Sequence, residues 1–312
     1  MHPTPSIILF TLSSGAGIGL LLLLVLLHGL NLAAPVPLDT RLFAGGLALA
    51  LIVGGLVASV FHLANPKNAW KAFNRFRTSW LSREGVFSVA LMAITVVYLL
   101  GISDTGDSQA IGLRIGALLV FALGLATLFS TGMIYASLKP IRQWRNPLVP
   151  PIYLLMGLAT GGVILTVVER VSGGPTRTTV SATVLALAGA ALAKAVYYVW
   201  IGRPAGPTIN TATGMTQAQV KLLDAGHSHR TFLTAEFGNT LRRAGSGTWR
   251  TVVFVFAFLL PAIGVIALAR GAAPAFGVLA ILSAFAGAAV ERWLFFVEAR
   301  HVVNLYHGSP RT

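Results

Sequence analysis

His62 and Glu84 bracket a segment that holds Lys67, Lys71, Arg75, Arg77 and Arg83 and lies between two almost wholly apolar stretches. An imidazole titrates near neutral pH and can donate or accept at either nitrogen. A carboxylate a short distance away can take a second proton. Those are the needs of a site that oxidises or reduces a quinone, whose oxygens must be hydrogen-bonded while two protons move with two electrons. An ionisable group at the edge of hydrocarbon is costly and by default a functional candidate.

Between these two residues, Trp70, Phe73 and Phe76 recur at i, i+3 and i+6, and Lys67, Lys71 and Arg75 at i, i+4 and i+8. The spacing predicts an amphipathic helix in the membrane interface, aromatic face in lipid and basic face in water. Membrane topology plus an aromatic belt accounts for the same lysines without any site. Asn65-Pro66 breaks the preceding helix, and Thr78–Ser82 turns the chain back towards the membrane.

Other ionisable residues have plainer readings. Glu291 and Arg292 read as a structural pair, with Glu298 and His301 left open. Lys194, near Tyr197–Trp200, is expected to snorkel to the membrane edge. Glu169 and Arg170 sit at the outer edge of a span and need no function. His28 and His62 end successive spans on opposite sides, so they cannot share a haem iron; His62 with His301 lacks the usual depth. His227 and His229 fall on a loop without further metal ligands nearby. The chain has no cysteine, which excludes structural disulfides and any cysteine-ligated iron–sulfur or zinc site within it. Electrons would pass through a bound ligand or a metal-bearing partner. No phosphate-binding loop, serine-nucleophile arrangement or metalloprotease motif is present.

The elements that must position these residues are membrane spans. Of 312 residues, 55% are hydrophobic and only 10% charged, against roughly a quarter charged in soluble domains. Apolar windows of about 20 residues fall at roughly 6–30, 42–63, 84–102, 112–137, 149–170, 178–200, 250–269 and 273–298. The run from Ile7 to Leu30 is long enough to span and lacks a basic leader, so it is expected to be a retained helix. Small residues recur in the spans, as in Ser13–Gly19, Gly45–Gly55 and Leu185–Ala195, where close helix packing in lipid uses them. Alternate loops and the C-terminus carry 16 of the 23 lysines and arginines. The positive-inside rule therefore puts both termini and the long loops in the cytoplasm. The expected architecture is an all-α bundle of eight transmembrane helices, one integral membrane domain over 1–312. It includes a basic amphipathic loop at 64–83 and a long cytoplasmic loop at 201–249. A short helix is expected around Thr216–Leu223, and Val220, Leu222, Leu223, Phe232, Leu233 and Phe237 suggest that the long loop folds against the bundle or a partner.

These residues carry a resemblance. His62–Pro66 (HLANP) and Ala69–Gly85 (AWKAFNRFRTSWLSREG) closely resemble the HLG-x-P…AW-x-AF…WRTSWLSREG stretch of the DMSO reductase anchor subunit family. Glu291–Gly308 (ERWLFFVEARHVVNLYHG) is similar to that family's ERWLFFAEA-x-HVVNLYYG ending. The segment TATG…LLD…H…F…E-x-G resembles a loop of the branch that includes the membrane subunit of cytoplasmic sulfite dehydrogenases. The resemblance covers most of the chain, with Ala64 where the family usually has Gly. It implies an eight-helix, non-catalytic anchor in the bacterial cytoplasmic (inner) membrane that binds quinone, menaquinone or ubiquinone. It further implies an iron–sulfur electron-transfer subunit and a molybdopterin catalytic subunit, which hold all the metal. The family's quinol-associated histidine falls on His62, and the acidic residue opening the next helix falls on Glu84. Trp80 and Arg83 would line or shape that pocket, while Lys67, Lys71, Arg75 and Arg77 would meet lipid headgroups or the iron–sulfur partner. Sulfite oxidation is the expected direction. The alternatives are an anchor for an S- or N-oxide reductase in anaerobic respiration, a purely structural anchor, and a secondary transporter working alone. No nucleic-acid partner is implied.

Overall fold

A computed structural model describes residues 4–61, 65–105, 110–174, 177–203, 205–224, 246–307, 309 and 311–312. Its eight long helices are α1 (Pro5–Gly29), α2 (Leu38–Val60), α3 (Trp80–Thr105), α4 (Ile111–Ala136), α5 (Val149–Val171), α6 (Arg177–Gly202), α7 (Gly247–Ala269) and α8 (Pro274–Val297). Each is long and apolar enough to cross a membrane. Among the described residues there is no strand; two isolated bridges, Ile141 with His301 and Thr208 with Arg311, tie loops together.

Prolines mark several starts. Pro5, Pro150 and Pro274 sit in the first turns of α1, α5 and α8, where the missing N–H costs nothing and the fixed φ suits a helix. Ends use glycine: Gly173, Gly174 and Gly271 take positive φ after α5 and α7, a conformation that suits a residue without Cβ. Two helices contain a π-turn, Val25–Gly29 in α1 and Phe254–Leu259 in α7.

α1 and α5 form the centre. Buried residues make up 67% and 72% of their apolar windows, against 28–39% in the other six. The two cross with backbones touching: a Cβ at Gly19 would meet the Gly157 carbonyl oxygen at 1.8 Å, and one at Gly161 would meet the Leu20 nitrogen at 2.1 Å. Such approach is how helices associate in lipid, where packing replaces the hydrophobic driving force. The outer helices turn large apolar residues such as Val97, Leu100, Leu185 and Leu192 outwards.

The described parts of the α2–α3, α4–α5 and α6–α7 connections and the C-terminal segment lie at one end, with most of the described basic residues among them. There the C-terminal segment packs on the α4–α5 loop. Val302 N–H donates to Pro140 O at 3.1 Å, Arg300 N–H to Gln143 Oε1 at 3.0 Å, and Trp144 Nε1–H to Phe295 O at 2.9 Å.

Three expectations change. The 66–75 segment is a 3₁₀-helix, Pro66–Arg75, and not an α-helix; i, i+3 side chains lie one above the other at three residues per turn, so the aromatic face survives. α3 begins at Trp80 and not at Glu84, which puts Trp80 and Arg83 on the helix itself. The short helix of the long loop is Ile209–Thr213, closed by a Thr208–Thr211 capping box, while 216–223 is not helical.

Candidate functional site

Glu84 lies in the second turn of α3, at the basic end, with 4% of its surface exposed. Its Oε1 accepts a hydrogen bond from Thr131 Oγ1 of α4 at 2.5 Å. The Thr131 hydroxyl also reaches the Thr127 carbonyl at 3.0 Å. A hydroxyl has one hydrogen and two lone pairs, so Thr131 can donate to an ionised Glu84 or accept from a protonated one while turning its own hydrogen to Thr127. Both protonation states of Glu84 are thus satisfied without movement of the backbone.

Trp80 and Arg83 precede Glu84 in the first turn of α3. The Arg83 guanidinium stacks 4.1 Å from the Trp80 ring and donates to the carbonyls of Phe76 (3.0 Å) and Arg77 (2.7 Å). Trp80 meets Phe129 of α4 edge to face. Phe76 packs on Phe87, and Phe73 lies beside Gly85. Lys67, Lys71, Arg75 and Arg77 are all exposed. His62, His227 and His229 lie outside the described residues.

Behind Glu84 the interior is polar to an extent the span pattern did not suggest. α8 brings Glu291 and Arg292 inside, with Arg292 Nε 2.6 Å from Glu291 Oε2. Lys194 of α6 pairs with the other oxygen of Glu291. Lys194 is 1% exposed; it does not snorkel, because a buried carboxylate meets it at its own depth. Its ammonium also lies over the rings of Tyr197 (4.4 Å) and Tyr198 (5.1 Å). Arg292 covers the Tyr153 ring at 3.8 Å, and Tyr153 stacks on Tyr135 at 5.7 Å. Both tyrosines stand within the electrostatic reach of Glu84 and of Arg292. Nearer the surface, Arg250 Nη2 pairs with Glu298 Oε1 at 2.7 Å; burial, opposed by Arg250, holds the Glu298 carboxyl above its ordinary pKa.

The opposite end has its own buried pair. His28, in the π-turn of α1, meets Glu169 Oε1 at 2.8 Å through Nε2, and Thr179 donates to the same oxygen at 2.9 Å. Glu169 is 1% exposed, so the plain edge residue expected from sequence is instead a clamp joining α1, α5 and α6. Among the described residues no group of three or more His, Asp or Glu side chains is arranged to hold a metal.

The profile of the DMSO reductase anchor subunit (DmsC) family matches residues 1–297. The chain belongs to that family. The C subunit of sulfite dehydrogenase from Allochromatium vinosum is 33% identical to it over 99% of both chains. The anchor family frames the geometry: an eight-helix membrane subunit with a buried carboxylate at its basic end. The first and last motifs had located Glu84, Arg83, Trp80 and the Glu291–Arg292 pair. Thr131, Tyr135, Tyr153 and Lys194 became visible as neighbours only in the folded chain, since threonine and tyrosine are ordinary residues of a membrane helix.

Proposed function

We propose that this chain is the quinone-reactive membrane anchor of a molybdenum-containing oxidoreductase in the bacterial inner membrane. It passes electrons between the quinone pool and an iron–sulfur partner subunit, in a complex that oxidises sulfite. The observation that carries the reading is Glu84: a carboxylate buried at the basic end, with a hydroxyl partner that suits it charged or protonated. Full-length similarity to a sulfite dehydrogenase subunit supports the substrate and hence electron flow towards quinone. The absence of cysteine supports metal centres held by the partners.

Glu84, Trp80 and Arg83 are residues of the kinds that would hold a quinone ring. A bound quinone supplies two-electron redox chemistry coupled to two protons. Glu84 and His62 would hydrogen-bond its oxygens and exchange those protons, a task for groups that accept and release a proton at working pH. Trp80, fixed by Arg83 and Phe129, offers an aromatic wall. The exposed Lys67, Lys71, Arg75 and Arg77 supply positive charge for lipid headgroups or for an acidic face of the iron–sulfur subunit.

The test begins with the complex purified in mild detergent from its native host. Molybdenum, iron and two soluble subunits should copurify. Glu84→Gln and His62→Ala should each lower sulfite-to-quinone turnover by roughly 10²-fold while leaving sulfite oxidation with a soluble acceptor unchanged. A solitary, metal-free protein would overturn the anchor reading. Full quinone turnover in Glu84→Gln would reduce the chain to a structural anchor.

A further inference from the structure

The interior behind Glu84 contains a small, partly open chamber where α1, α4, α5 and α8 meet. It is lined by Thr11, Ser14, Thr131, Tyr153, Thr160 and Arg292, with apolar neighbours. Its volume, about 20 Å³, suffices for one water and is far too small for a quinone ring.

Its chemistry is complementary to water. The hydroxyls of Thr11, Ser14 and Thr160 give their hydrogens to the carbonyls of Ile7, Phe10 and Met156, which leaves their oxygens as acceptors. Arg292 Nη1 and the Tyr153 hydroxyl are buried and, apart from the Arg292–Tyr153 and Tyr135–Tyr153 contacts, have no partner among the described residues. A buried water needs two to four polar partners, and these groups provide both donors and acceptors. Thr131 belongs to the chamber and to Glu84 at once.

We infer that this chamber is a buried water site that returns protons to Glu84 through Thr131, with Arg292 as the positioning residue that orients the water. The inference rests on the quinone reading above. Arg292 Nη1 donates to the water oxygen, so the water's hydrogens point to the hydroxyl oxygens. When Glu84 has given a proton to a quinone oxygen, the Thr131 O–H passes its proton to the carboxylate. Thr131 takes one from the water, and the water takes one from the Tyr153 hydroxyl. Tyr153 is refilled by a proton that solvent supplies through the open side of the chamber. The electrons come from the iron–sulfur partner. Each proton delivered at Glu84 is matched by one entering the chamber, and the second proton of each two-electron reduction passes by way of His62. Running the path backwards serves quinol oxidation.

Thr131→Val keeps the shape of the side chain and removes the bridge. In the intact complex it should lower quinone-coupled turnover about tenfold or more, with the KM for quinone unchanged and an enlarged solvent isotope effect. Tyr153→Phe should do the same, and Thr166→Val, whose hydroxyl bonds Gly162 O in the opposite half, should do nothing. Independently of turnover, cryo-electron microscopy at a resolution that shows waters should place one water between Thr131 and Arg292. A dry chamber, or wild-type turnover in properly assembled Thr131→Val, would overturn the relay. If Glu84→Gln retains full quinone turnover, the quinone reading itself fails, whereas its loss beside an unaffected Thr131→Val rejects only the relay.

Discussion

Lys194, Glu291 and Arg292 bring two positive charges and one negative into the bundle, and this unequal count decides what each substitution does. Glu291→Gln leaves two cations buried and should destabilise the fold by about 3–5 kcal/mol, because an uncompensated buried charge is the costly state. Lys194→Met leaves Glu291 and Arg292 as a matched pair and should be nearly neutral. Thermal unfolding of detergent-purified variants distinguishes the two, and equal losses would refute the charge argument. Glu84 was legible in the sequence because a carboxylate at the head of a span stands out in a chain this poor in charge. The adjacent Glu291 and Arg292 also read as a pair. The third member was not legible: Lys194 lies almost a hundred residues upstream, and only the fold, in which α6 and α8 both pack on α5 and α7, shows that their depths coincide.

At the scale of elements, the 66–75 segment and the C-terminal segment both depend on local contacts. A spacing of three places Trp70, Phe73 and Phe76 on one face of an α-helix or a 3₁₀-helix, so periodicity revealed the face but not the helix type. Phe76→Ala removes the ring contact with Phe87 and should raise hydrogen exchange across 66–79 while α3 stays protected. In the C-terminal segment, Val303 N–H donates to His301 Nδ1 at 3.1 Å, and burial lowers the His301 pKa below its ordinary 6.5. The fold therefore favours the neutral ring. Its contribution is present above pH 6.5 and is lost as pH falls through the folded-state value. Exchange in 298–307, corrected for intrinsic rates, should accelerate on going from pH 7.5 to 5.5, and His301→Gln should abolish that change. The helix at Ile209–Thr213 was misplaced from sequence because apolar residues at 220–223 suggested a helix, whereas the capping box that actually starts one lies a dozen residues earlier.

For the whole molecule, eight spans were legible because length and hydropathy are dictated by the bilayer. The choice of central helices was not, since α2 is as apolar as α1. What distinguishes α1 and α5 is the matched spacing of Gly15 and Gly19 against Gly157 and Gly161, which has meaning only once the two are in contact. Gly161→Val should push the helices apart and cost about 1–3 kcal/mol or more, seen as loss of monodisperse protein in detergent. Gly46→Val, at a glycine with open space around it, should be tolerated.

This central pairing also dictates an order of events during synthesis. α1 leaves the ribosome first, yet the helix whose backbone it must touch begins about 120 residues later. At 5–20 residues per second that is a wait of roughly 6–24 s. During it, α1 can rest against α2, which meets it at Gly17 and Gly55. Its second glycine face, together with His28 awaiting Glu169, stays unmatched until α5 arrives. The nascent protein therefore carries a time-limited vulnerability at its own centre. A slowed ribosome upstream of α5 should lower the yield of folded anchor more than the same pause placed after it.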